Sequence, residues 1–162
     1  MEFTIQQSDL AYALTTALAS VPSKSTLAIL SAVLLEAEKD ELRITGTDLD
    51  VTTTITVPCS VKTPGRAAVQ ARHFADTVRK LPKDQVKVGE DAQGRISIEY
   101  GKGKGKTAVP RQNDQEFPVL PTIKADAKAS IDGPVLARLI QRSAYAVSWS
   151  RRARASAPKG RA

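Results

Sequence analysis

The sequence predicts an α+β fold built from a duplicated strand–helix–strands unit, with two helices packed on antiparallel sheets. Three observations carry this expectation. First, residues 41–58, ELRITGTDLDVTTTITVP, place apolar residues at even positions (Leu42, Ile44) and then at odd ones (Leu49, Val51, Ile55, Val57). A strand shows one face every second residue, so a change of phase demands a chain reversal. Second, helical spacing of apolar residues follows two short strand-like stretches, once after Ile5 and once after Val69. Third, these units superpose on each other and on a later stretch: Ile5, Val69 and Ile131 end the strand, Leu10, Phe74 and Leu136 open the helical stripe, and Leu14, Val78 and Ile140 continue it. The offsets are 64 residues from Ile5 to Val69 and 62 from Val69 to Ile131, the mark of a repeated supersecondary unit.

Taken in order, residues 1–5 alternate as a strand, and Gln7 or Ser8 opens a helix with Leu10, Ala13, Leu14, Ala17, Leu18 and Val21 on one stripe. Pro22, Ser23, Lys24 and Ser25 end it as an exposed loop. Residues 31–38 form a strand, separated by Lys39, Asp40 and Glu41 from the next, which begins near Leu42. Gly46, Thr47 and Asp48 are read as the following reversal, because Gly accepts positive φ and Asp can accept from its own following backbone. The result is a three-strand meander rich in β-branched residues. After Pro58 a polar turn, residues 62–65, leads to a short strand at 67–70 and a helix from about Ala71 to Leu81. That helix buries Phe74, Val78 and Leu81, presents Arg72, Arg79 and Lys80, and is stopped by Pro82. Strands are expected at 85–89, 95–100 and 106–109. A third strand-then-helix begins at Ala129, with Asp132 as N-cap and Pro134 in the first turn.

Two units make one domain of residues 1–121, Pro118 and Pro121 keep an extended connector at 122–128, and residues 129–148 open a second domain. Residues 149–162 are a basic low-complexity tail, expected to be disordered. The net charge of +7 belongs mostly to that tail: it holds Arg151, Arg152, Arg154, Lys159 and Arg161 without an acid, leaving 19 basic against 17 acidic residues elsewhere. An argument for a nucleic-acid partner must therefore rest on where the body's charges lie. No apolar run approaches the roughly 20 residues of a membrane span. With a single cysteine, Cys59, and no basic-then-apolar leader, the cytoplasm is the expected compartment and no membrane partner is expected.

Catalytic readings are weak. Asp48 and Asp50 could share a strand face, but the turn explains Asp48 better, and His73, the only histidine, suits a surface or interface. Gly101-Lys-Gly-Lys-Gly-Lys-Thr107 imitates a phosphate-binding loop, yet Tyr100 stands where its first Gly belongs and Pro110, not a helix, follows. A basic glycine-rich hairpin guarding a sheet edge is the better reading. No catalytic residue, metal or cofactor is expected.

The residues MEFTI at the start, STLAIL at 25–30, TGTDLD at 45–50, VQAR at 69–72, Leu81-Pro82 and Glu116-Phe-Pro118 together resemble the bacterial sliding clamp family, the beta subunit of DNA polymerase III. The resemblance covers residues 1–148. It implies the DNA clamp fold: a head-to-tail homodimeric ring of three-domain chains, helices lining a hole around duplex DNA, and a non-catalytic processivity factor that serves DNA polymerase III and its clamp loader. It places Lys24 as a DNA contact, with Arg72, Arg79 and Lys80 on the second lumen helix, and His73, Arg95, Lys102 and Lys104 on the basic side of the subunit contact. Gly105 and Thr107 depart from the large apolar residues usual in that edge strand. The resemblance stops at Ser148, and the Arg, Ala, Gly and Pro bias beyond it suggests a frameshifted or truncated chain. The peptide pocket between the second and third domains would then be absent, and the first domain alone would neither close a ring nor recruit a polymerase. The alternative is a stand-alone module that binds nucleic acid or an acidic protein through the tail and the lysine hairpin.

Overall fold

A computed structural model describes residues 1–101, 103–118 and 130–144. The chain divides into two compact units, Met1–Leu120 and Pro121–Ala162. In the first, β1 (Glu2–Gln6) leads into α1 (Gln7–Ala17), continued by a 3-10 turn at Leu18–Ser20. A second 3-10 turn, Ala28–Ser31, precedes the meander β2 (Ala32–Glu38), β3 (Glu41–Thr47) and β4 (Thr52–Pro58). Next come β5 (Ser60–Thr63), β6 (Gly65–Gln70), α2 (Ala71–Arg79), β7 (Gln85–Glu90), β8 (Ile96–Tyr100), β9 (Gly105–Val109) and β10 (Arg111–Gln112). A 3-10 turn at Asp114–Glu116 follows.

The ten strands form two antiparallel five-stranded sheets, ordered β5-β1-β7-β8-β9 and β10-β6-β2-β3-β4. Each repeat lends its first strand to the other's meander, since β1 pairs with β7 and β6 with β2. α1 and α2 pack against each other, and α1 also lies on β3 and β4. Phe3, Leu10, Leu14, Leu35, Leu42, Ile44, Val69, Phe74, Val78, Ile96 and Ile98 are fully buried in one cluster between helices and sheets. Five of the repeat-matched residues, Leu10, Leu14, Val69, Phe74 and Val78, have no solvent exposure. Periodicity therefore located the core because each helix has one face to bury.

Four features differ from the sequence reading. Gly46 and Thr47 belong to β3, opposite Thr53 and Thr52, and the reversal is made by residues 48–51. There the Asp48 carboxylate accepts the N–H groups of Asp50 (3.1 Å) and Val51 (2.8 Å), and Leu49 takes φ 82°. Leu49 and Val51 accordingly point to solvent, 58% and 56% exposed, rather than extending the apolar stripe. Two short strands, β5 and β10, carry too few residues to show a period of two. Among the described residues Ile131 ends no strand: it is half exposed, and α3 (Gly133–Ala144) begins two residues after it.

In the second unit, the Asp132 carbonyl accepts the Leu136 N–H and closes the first turn of α3. Leu136, Leu139 and Ile140 are exposed on it. The expected connector, the helix beyond Ala144 and the basic tail lie outside the described residues. Among the described residues no helix is long and apolar enough to cross a membrane.

Candidate nucleic-acid interface

α1 and α2 bury one face each: Leu10, Ala13, Leu14 and Ala17 on the first, Ala71, Phe74, Ala75 and Val78 on the second. The 3.6-residue period then turns the intervening residues outward as one surface across the paired helices. α1 contributes Ser8, Asp9, Tyr12 and Thr15, all exposed, and no cation. α2 contributes Arg72, Asp76 and Arg79, with Lys80 directly after it.

These cations are held differently. Arg79 spans the helix pair: Nη2 donates to Thr15 Oγ1 at 3.1 Å, while Nη1 lies 3.5 Å from Asp76 Oδ1. Arg72, Lys80 and Lys24 have no ion pair or side-chain hydrogen bond among the described residues. Lys24 is exposed in the loop that leaves the 3-10 turn after α1. Unpaired, solvated cations on a helical surface suit phosphate, which needs charge more than fixed geometry.

Of the four residues expected at a subunit contact, three lie among the described residues. The His73 N–H donates to Gln70 Oε1 at 3.0 Å, capping α2, and its side chain is solvent-exposed. Arg95 is committed within its own turn, Nη2 lying 2.8 Å from Asp91 Oδ2. The Asp91 carboxyl is held below its usual value, first by the backbone N–H of Arg95 and further by that guanidinium and the Gln93 N–H, which together outweigh burial. Arg95 adjoins the end of the β8–β9 hairpin where Ile96 faces Val109, whereas Lys104 adjoins the end where Tyr100 faces Gly105. Lys104 sits exposed in a turn that Gly101 (φ 59°) and Gly103 (φ 85°) make possible. Lys102 lies outside the described residues.

Among the described residues the glycine-lysine stretch forms a turn and a strand, not a loop that leads into a helix. Its second half is β9, and Lys106 Nζ pairs with Glu99 Oε1 at 3.2 Å. Burial pushes the Cys59 thiol up, with Asp40 and Glu41 adding to the effect, so it is not an activated nucleophile.

One charge pattern escaped sequence reading. Lys62, Glu2, Lys87, Glu99 and Lys106 alternate in sign across β5, β1, β7, β8 and β9, with separations of 3.2, 2.9, 4.0 and 3.2 Å. Lys87 and Lys62 hold the Glu2 carboxyl below its usual value, and Glu2 raises Lys87 in turn. Only strand order brings these five together, so no local spacing announces them.

Against known families, residues 1–121 match the profile described as DNA polymerase III beta subunit, N-terminal domain. The Beta sliding clamp of Bacillus subtilis (strain 168) is 29% identical over 158 residues, 93% of this chain and 41% of that protein. Among solved structures, Caulobacter crescentus pol III beta superposes with TM-score 0.84 at 30% identity, covering 93% of this chain and 40% of that one. The DNA polymerase sliding clamp from Bacillus subtilis gives TM-score 0.84 and 30% identity, with 93% and 41% covered. The chain thus spans about two fifths of the length of the relatives it matches.

Proposed function

The chain belongs to the DNA polymerase III beta subunit family, and from that membership we propose that it forms the first domain of a sliding clamp, a non-catalytic DNA-replication processivity factor acting on duplex DNA in the cytoplasm. The observation that carries the reading is the α1–α2 surface, where Arg72, Arg79 and Lys80 are exposed together on one helix and its end. Diffuse positive charge of this kind attracts the phosphate backbone without reading bases and lets a protein slide. A clamp needs no more, because topological linkage holds it to DNA and tethering raises the effective concentration of the polymerase. In this reading Arg72 and Lys80 meet phosphates directly, Arg79 holds the two helices in register while lending its charge, and Lys24 reaches DNA from its loop. The head-to-tail subunit contact uses His73, Lys102 and Lys104, with Arg95 contributing through its turn. DNA polymerase III and the clamp loader are the proposed protein partners of the assembled ring.

The test is duplex binding by fluorescence anisotropy at several salt concentrations, with residues 149–162 removed so that the basic tail does not contribute. Arg72→Ala and Lys80→Ala are each expected to reduce the slope of log affinity against log salt by about 1, uniformly across DNA sequences. Lys39→Ala, on the remote β2–β3 turn, leaves the slope unchanged. Equal slopes for all three variants would remove α2 from the DNA contact.

A further inference from the structure

The two helices of the repeat present different chemistry at matched positions. The 64-residue offset that sets Leu10 on Phe74 and Leu14 on Val78 also sets Ser8 on Arg72, Tyr12 on Asp76, Thr15 on Arg79 and Thr16 on Lys80. At the end of α2 and along it this row is charged, whereas on α1 all four positions carry hydroxyl groups. A hydroxyl can hydrogen-bond a phosphate oxygen, and it brings no net charge to the contact.

Three of the four hydroxyls are already engaged within the helix pair. Thr15 Oγ1 donates to the Ala11 carbonyl at 2.7 Å and accepts from Arg79 Nη2 at 3.1 Å. Thr16 Oγ1 donates to the Tyr12 carbonyl at 3.1 Å. Ser8 Oγ turns to Asp9 Oδ1 at 3.3 Å, so a phosphate approaching it would meet a carboxylate of like charge. Tyr12 differs from all three. Its phenol has no hydrogen-bond partner among the described residues, and at 66% exposure it is the most exposed large hydrophobic side chain among them. The core does not use it either, because Leu10, Ala13, Leu14 and Ala17 supply the buried stripe of α1.

We propose that Tyr12 is the contact of α1 with duplex DNA, its phenolic O–H donating to an oxygen of a backbone phosphate while α2 attracts the neighbouring phosphates by charge. This deepens the reading of the helical surface given above and rests on it. The Arg79–Thr15 hydrogen bond ties the two helices together, so the phenol and the cations belong to one surface. The division of labour has a thermodynamic signature. A cation that neutralises a phosphate releases counterions and steepens the salt dependence of binding, whereas a neutral donor releases none. Tyr12 therefore adds affinity equally at every salt concentration. Because phosphates repeat along the backbone whatever the bases, the contact carries no sequence preference and passes from one phosphate to the next as the duplex slides.

The full 162-residue chain and a short linear duplex test this. Tetranitromethane nitrates exposed tyrosine rings, and peptide mass spectrometry reads each site. Duplex is expected to slow nitration of Tyr12 severalfold and to leave Tyr100, half-buried on β8, at its free rate. In fluorescence anisotropy over a salt series, Tyr12→Phe should weaken binding about two- to tenfold at every salt concentration, the scale of one net hydrogen bond, with the log–log slope unchanged. Tyr12→Ala should lose no more than Tyr12→Phe, and Arg72→Ala, measured alongside, should lower the slope. Nitration of Tyr12 indifferent to duplex, or a Tyr12→Phe variant that binds like the native chain while Arg72→Ala still lowers the slope, overturns the phenol contact and leaves the α2 surface standing. Native slopes for both Arg72→Ala and Lys80→Ala would instead remove the helical surface on which the proposal rests. Tyr12 lies outside the buried cluster, so both of its variants should fold by circular dichroism; if either does not, the nitration of the native chain decides.

Discussion

Gly46 shows how one residue type can serve two physical purposes that look alike in a sequence. A glycine at a phase switch reads as a turn residue, yet here it sits inside β3 opposite Thr53. A Cβ on Gly46 would collide with the Ala17 carbonyl oxygen and meet Val21 Cγ2 at 3.0 Å. The missing side chain is what lets the end of α1 lie on the sheet. Gly46→Ala must push backbone rather than a flexible tip, so a loss of about 1–3 kcal/mol is expected in urea denaturation, the scale of overpacking. Gly89→Ala is the matched control, since its Cβ would meet only Glu2 Cγ at 3.7 Å and the Met1 carbonyl oxygen at 3.8 Å; a change within about 0.5 kcal/mol is expected. Equal losses would show that α1 does not depend on this contact. The true turn residue, Leu49 at φ 82°, was illegible because leucine rarely enters that region. What holds it there is local: Thr47 Oγ1 accepts its N–H at 3.0 Å, and Asp48 fixes the two residues that follow.

At the scale of elements, the sequence revealed what periodicity can reveal. α1, α2 and the meander were legible because each has a face to bury, whereas β5 and β10 were too short to show one. Spacing alone could not tell that Ile131, unlike Ile5 and Val69, has no strand partner among the described residues. The alternating charges on the first sheet were illegible for another reason: Glu2 and Lys87 meet only because β1 and β7 pair. That meeting has a pH signature. The Glu2 carboxyl lies below its ordinary 4.5 because Lys87 and Lys62 favour its charged form. A carboxylate whose folded value is depressed stabilises fully above its unfolded value and loses that contribution as pH falls through the folded one. The difference in thermal midpoint between the native chain and Glu2→Gln should therefore be constant from pH 7 down to about 4.5 and shrink below it. High salt should narrow it at every pH, since all five charges are partly exposed. A difference that persists at pH 3 would assign the effect of Glu2 to packing instead.

At the scale of the whole molecule, the repeat is not two small domains placed side by side. β1 completes the sheet of the second meander and β6 completes the sheet of the first, so each repeat contains a strand whose partners belong to the other. The buried cluster is likewise shared, with Phe3, Leu10 and Ile44 from one repeat and Val69, Phe74 and Ile98 from the other. Neither half can bury its own helix against a complete sheet, and halves near 60 residues are already at the size where a core is marginal. Folding should thus be a single cooperative event, and the joint between halves should be dispensable once both are present. Residues 1–64 and 65–118, cut where Pro64 separates β5 from β6, are each expected to lack dispersed amide signals in NMR when alone. Mixing them should restore the dispersion and a single denaturation transition whose midpoint rises with concentration, as mass action requires of an associating pair. An independently folded half would mean that the strand exchange is ornament on two autonomous units, and that the helical surface offered to DNA could assemble without it.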